Sequence, residues 1–88
     1  MPISEILYTP KFAKNFKKIP TKERAQVKQR EQLFKNNPFD PKLKTHKLKG
    51  KLGNYWSFSI THSYRLVFRF LKNDKALFVD VGAHKIYK

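Results

Sequence analysis

The sequence predicts an α+β domain: an N-terminal strand, a two-helix hairpin and then an antiparallel β-meander, with the helices on one face of the sheet and the other face open and basic. Three observations predict it. Apolar residues recur at helical spacing before Asn36 and at alternate positions from Tyr55 onward. Between the two patterns, Asn36-Asn37-Pro38-Phe39-Asp40-Pro41 pushes the residues before both prolines out of helical geometry. The 88 residues, 40% hydrophobic and without cysteine, allow one domain over 1–88 whose core must be closed by apolar side chains alone.

Ile3 to Tyr8 is a short apolar-rich run, read as the first strand. It ends at Thr9-Pro10, where a threonine can cap a helix and a proline suits its first turn. Phe12, Phe16 and Ile19 then form one apolar stripe among Lys11, Lys14, Lys17 and Lys18, so the first helix is amphipathic and stops before Pro20. Thr21 is the expected cap of a second helix over Lys22 to Asn36, whose apolar content is Ala25, Val27, Leu33 and Phe34. The stretch from Lys42 to Lys51 is expected to be a loop with at most a short strand.

From Tyr55 the alternation sets Trp56, Phe58 and Ile60 inward, with Tyr55, Ser57, Ser59 and Thr61 outward. After a turn at Thr61-His62-Ser63, the next strand sends Tyr64, Leu66, Phe68 and Phe70 inward and leaves Arg65, Val67 and Arg69 on the open face. Lys72-Asn73-Asp74-Lys75 turns the chain again. The last strand is expected to bury Leu77, Val79 and Val81 and to expose Phe78 and Asp80, before Gly82 and a tail from Ala83 to Lys88.

Charge narrows the function. Twenty Lys and Arg against six Asp and Glu give a formal net charge of +14, a self-repulsion that a polyanionic partner would relieve. Nucleic acid fits best, although an acidic protein or an anionic surface carries the same sign. Met1-Pro2-Ile3-Ser4-Glu5 has no basic or apolar targeting character, and no run approaches the roughly 18 apolar residues of a membrane span. The expectation is a cytoplasmic chain that uses no membrane.

No cofactor or metal is expected. His46, His62 and His84 lack a short ligand spacing, there is no cysteine, and Ser57, Ser59 and Ser63 sit in no motif that activates a hydroxyl. Metal-free RNA cleavage instead needs a proton acceptor, cations for a charged phosphorane and a proton donor. His46 in the lysine loop, Arg65 on the open face, and His84 and Tyr87 after the last strand supply those groups. Lys42, Lys44, Lys47, Lys49 and Lys51, with Arg69, read as an RNA-binding rim. The plainer readings are solvated loop residues, a strand-end cap at His84, and Arg65 as a cross-strand partner of Asp80. Trp56 reads as core and His62 as a solvated turn residue.

The segment from Lys44 to Tyr87 resembles the RelE/ParE superfamily of bacterial toxins from type II toxin–antitoxin modules. The resemblance rests on His-Lys-Leu-Lys-Gly at 46–50, Gly-Asn-Tyr-Trp-Ser at 53–57, Tyr-Arg-Leu-Val-Phe at 64–68 and Val-Gly-Ala-His at 81–84 with Tyr87. With the N-terminal strand and hairpin it spans essentially the whole chain. It implies a RelE-like, microbial-ribonuclease-like fold and a ribosome-dependent, metal-free endoribonuclease. Such an enzyme cuts mRNA in the A site by 2′-hydroxyl attack, leaving a 2′,3′-cyclic phosphate. It further implies a cognate antitoxin with an acidic, partly disordered segment, besides the ribosome and mRNA as partners.

By the same resemblance, Arg65 matches the arginine at the scissile phosphate, His46 a histidine or glutamate base, His84 the histidine or arginine after the last strand, and Tyr87 the C-terminal aromatic. The chain departs from the pattern in its short tail and in having Ser59 and Ser63 where some relatives carry a histidine and an aspartate. The alternatives are a ParE-like DNA gyrase inhibitor and a non-catalytic RNA-binding relative.

Overall fold

Thr9 ends the first strand, β1 (Glu5–Tyr8), and starts the first helix, α1 (Pro10–Lys18). Its hydroxyl accepts from the Phe12 amide at 3.0 Å, as a capping threonine should, and donates to the Val79 carbonyl at 2.7 Å. One side chain therefore caps the helix and ties it to the far end of the chain. The structure, a computed structural model, describes residues 2–50 and 53–83. After α1 come α2 (Thr21–Asn36), a 3₁₀ turn (Pro41–Leu43) and the strands β2 (His46–Lys47), β3 (Trp56–Ser59), β4 (Tyr64–Leu71) and β5 (Lys75–Ala83).

The expected order of elements is present. α2 begins one residue earlier than expected: Pro20 occupies the cap position without a side-chain cap, and the Thr21 hydroxyl accepts from Arg24 Nη2 at 3.0 Å instead. The five strands lie in the order β1-β5-β4-β3-β2, with β1 parallel to β5 and every other pair antiparallel. Both ends of the chain thus meet in one sheet.

Phe34 of α2 sits at the centre of the core, fully buried. Its ring lies 4.8 Å from that of Phe68, 5.2 Å from Phe58 and 5.4 Å from Phe78. Two of these contacts are edge-on and one is stacked, the arrangements that aromatic quadrupoles favour. Phe12 and Ile19 of the α1 stripe are buried against this layer with Val27 and Leu43, while Phe16 and Leu33 pack on it half-buried.

The phase expected for the last strand is wrong around Phe78. Ala76 and Phe78 are buried with Val81, whereas Leu77 and Val79 are only half-buried. A β-bulge explains the difference: the register moves from Val67↔Asp80 to Phe68↔Phe78, so Val79 is the extra residue and the side-chain alternation changes step there. Asp80 is also buried, at 3% exposure, rather than outward. It accepts from Asn15 Nδ2 at 2.7 Å and pairs with Lys11 Nζ at 3.4 Å, both on α1. Trp56 is half-buried against the core, in an aromatic group with Phe39 and Phe70.

Candidate nucleic-acid interface

Strand pairing fixes which side chains share the sheet face away from Phe58 and Phe68. His46 is opposite Ser57, Ser57 opposite Val67, and Ser59 opposite Arg65. Residues directly opposite each other point the same way, and so do residues two apart. His46, Ser57, Ser59, Arg65, Val67 and Arg69 therefore lie on one face, as the alternation predicts. That face is not open throughout. Ser57 and Val67 are both buried, so its middle is closed and its polar groups divide between two ends.

At one end, the Arg69 guanidinium lies over the Tyr55 ring, 5.7 Å from its centre. At the other end a groove of about 930 Å³ opens between α2, the 3₁₀ turn and the β3–β4 turn. Its cationic lining is Arg30, Lys42, Lys44 and Arg65, joined by His62 and by hydroxyls including those of Ser59 and Thr61. Among the described residues, no aspartate or glutamate lines it. The β3–β4 turn is held in place, with the Thr61 hydroxyl accepting from the amides of Ser63 and Tyr64, each at 3.2 Å. The opposite wall is equally fixed: Asp40 accepts from the Lys42 amide at 2.9 Å, and Leu43 is fully buried beneath.

The predicted residues separate on this map. Arg65 lines the groove, and its Cα partner on β5 is Gly82, while that of Asp80 is Val67. Lys42 and Lys44 line the groove too. Lys47 pairs with Trp56, so it projects from the opposite side of β2; like Lys49 it is exposed. His46 is exposed on β2 and does not line the groove. Its Nδ1 lies 3.1 Å from the Lys44 carbonyl, which can only accept, so this contact puts the proton on Nδ1 and leaves Nε2 as the basic nitrogen. Lys51, His84 and Tyr87 lie outside the described residues.

Two residues at the groove have no counterpart in the sequence-based set. Arg30 comes from α2, where the sequence pattern singles out only the apolar positions. His62, expected to be a plain turn residue, lines the same groove as Arg65. Among the described residues, no three His, Asp or Glu side chains gather to hold a metal, and no helix is long and apolar enough to cross a membrane.

Comparisons with known proteins agree with the fold. A family model for the "ParE toxin of type II toxin-antitoxin system, parDE" matches residues 6–86. No curated protein sequence matches the chain significantly. Among solved structures, a YoeB/ParE toxin from Agrobacterium tumefaciens superposes with a TM-score of 0.78 at 20% identity, covering 91% of this chain and 98% of that one. An archaeal RelE–RelB complex from Pyrococcus horikoshii OT3 gives 0.76 at 13% identity, covering 98% and 99%. The E. coli DinJ–YafQ toxin–antitoxin complex gives 0.72 at 22% identity, covering 90% of each chain.

Proposed function

The chain belongs to the ParE toxin family of type II toxin–antitoxin systems, within the RelE/ParE superfamily, and on that premise we propose that it arrests growth by cutting messenger RNA on the ribosome, in the cytoplasm and without a metal. The observation that carries this reading is the groove itself, where Arg65 converges with Lys42 and Lys44 and, among the described residues, no carboxylate lines it. A polyanion supplies the missing charge. Arg65 stabilises the phosphorane formed when the 2′-hydroxyl attacks its own phosphate, because a fixed guanidinium gains most where negative charge develops. The attack forms the 2′,3′-cyclic phosphate and expels the 5′-oxygen. The free Nε2 of His46 suits one proton transfer and His84 the other, with Tyr87 completing the set. Lys47, Lys49, Lys51 and Arg69 add sequence-independent attraction to RNA.

The partner that silences it is an antitoxin whose acidic, partly disordered segment covers the basic surface; two of the similar folds are of toxin–antitoxin complexes. A second reading, inhibition of DNA gyrase, is favoured by the ParE description of the matching family model. Inducing the chain alone in bacteria separates the two. Amino-acid incorporation should stop before thymidine incorporation, with new 5′ ends appearing within translated messages. Arrest of thymidine incorporation first, with messages intact, would overturn RNA cleavage.

A further inference from the structure

We propose that Arg30 forms a second phosphate subsite in the groove that Arg65 also lines, so that the site grips a single nucleic-acid strand at two phosphates rather than one. The inference deepens the RNA-cleavage reading and rests on it for the identity of the strand. Arg30 Nη1 donates to the Lys42 carbonyl at 2.8 Å, which fixes the guanidinium on the rim. One of its five N–H donors is used there, and the rest remain for an acceptor in the groove that the side chain lines. The Lys42 carbonyl belongs to a wall anchored by Asp40 and Leu43, so Arg30 is held by a rigid partner. The backbone at Arg65 is set by its place in β4 beside a hydrogen-bonded turn.

Charge carries the argument further. Asp80 and Glu5 are paired with Lys11 and Lys75, and among the described residues no acidic side chain lines the groove. Folding brings Arg30, Lys42, Lys44 and Arg65 together against their mutual repulsion, and an anion spanning both walls offsets that cost. The space is too large for a lone phosphate: about 930 Å³ lies near the upper end of the roughly 300–1,000 Å³ typical of pockets for whole ligands. The hydroxyls of Ser59, Thr61 and Ser63, in and beside the β3–β4 turn, supply neutral contacts for sugar and phosphate oxygens.

The two arginines then differ in role. Arg65 acts at the reacting phosphate, whereas Arg30 holds a neighbouring phosphate that changes little during the reaction. Such a contact binds ground and transition states alike, so its loss raises KM and leaves kcat unchanged. The test uses the full chain and an uncleavable single-stranded 2′-deoxy oligonucleotide, titrated across a salt series with Arg30→Gln, Arg30→Lys and Arg65→Ala. Gln retains a donor for the Lys42 carbonyl but loses the charge; Lys retains the charge.

Arg30→Gln should weaken binding and reduce the slope of log K against log salt by about 0.7, the increment for one phosphate contact on a single strand. Arg30→Lys should restore the slope, and on programmed ribosomes Arg30→Gln should raise KM alone. A wild-type slope in Arg30→Gln, equal losses in the Gln and Lys variants, or no oligonucleotide binding by the wild type would each overturn the subsite. If instead the wild type leaves mRNA on programmed ribosomes intact while Arg30→Gln alters the slope, the subsite stands and the cleavage reading falls.

Discussion

The aromatic layer under the sheet and the basic groove at its end share strands β3 and β4 but meet opposite requirements. Phe58 and Phe68 point into a layer where each ring finds another ring, with Phe34 buried completely among them. Ser59 and Arg65, from the same strands, face a groove where cations meet without a carboxylate among the described residues. One region is complete within the chain; on the proposed function, an anion completes the other. Stability should therefore reside in the first and activity in the second, and substitutions can test that division.

The largest effect should follow from Phe34→Ala. Removing the central ring from the aromatic layer should cost about 3–5 kcal/mol, against a total stability of about 5–15 kcal/mol for a domain. Chemical denaturation of the purified variant measures it. A loss below about 1 kcal/mol would mean that the layer closes over the gap and that stability is not concentrated there.

Arg65→Ala should do the reverse. Cleavage of mRNA should fall by roughly 10²–10³-fold, the scale for losing one donor that stabilises transition-state charge, while the melting temperature stays level or rises because a cation leaves a like-charged cluster. Toxicity on induction and thermal melting, measured on the same variant, decide it. A variant that loses activity and also melts early would blur the division, since Arg65 would then be holding structure as well.

How far the sequence discloses each region depends on the range of the interactions. The α1 stripe of Phe12, Phe16 and Ile19, the Thr9 cap and the alternation of β4 are local patterns, and each reappears in the structure. The inward phase of β5 is not local. It depends on the bulge at Val79, which exists only because β5 pairs with β4, and alternation read on through it assigns Phe78 to the wrong side. The parallel pairing of β1 with β5 is equally invisible from Ile3 to Tyr8 alone.

Within the groove, Arg65 is legible from its strand position and Lys42 and Lys44 from their clustering. Arg30 is not, since it reaches the site only because the 3₁₀ turn docks on α2 and presents the Lys42 carbonyl to it. Lys47, in contrast, belongs by sequence to the lysine cluster but leaves the groove face because β2 alternates.

A smaller effect probes the join between the regions. Thr9→Ala removes the α1 cap and the hydrogen bond to the Val79 carbonyl together, at the bulge that sets the phase of β5. Loss of a cap costs about 0.5–2 kcal/mol, and Thr9→Ser, which keeps the hydroxyl, should recover most of it. Denaturant midpoints for the pair measure the difference. Equal midpoints would show that the hydroxyl contributes nothing and that Pro10 and packing alone define the helix start.

The smallest effect concerns a polar contact on the core side of the molecule, and it appears only in alkali. Tyr8 donates its phenolic hydrogen to Glu31 Oε2, and its ring packs on Phe12 and edge-on to Phe78. Partial burial, then the hydrogen bond and the charge of Glu31, push the phenol well above its ordinary value near 10. The folded state therefore holds this proton more tightly than the unfolded chain does. Its contribution is present in full below about pH 10, where both states are protonated. It declines as pH rises from there toward the folded value, because only the unfolded phenol ionises in that window. Tyr8 is half-exposed, so solvent screening keeps the contribution small. The stability difference between the wild type and Tyr8→Phe should thus be constant from pH 7 to 9 and should shift in favour of Tyr8→Phe above about pH 10. Denaturation at pH 8 and pH 11 measures it. A difference that is the same at both values would mean that Glu31 does not hold the phenolic proton in the folded chain.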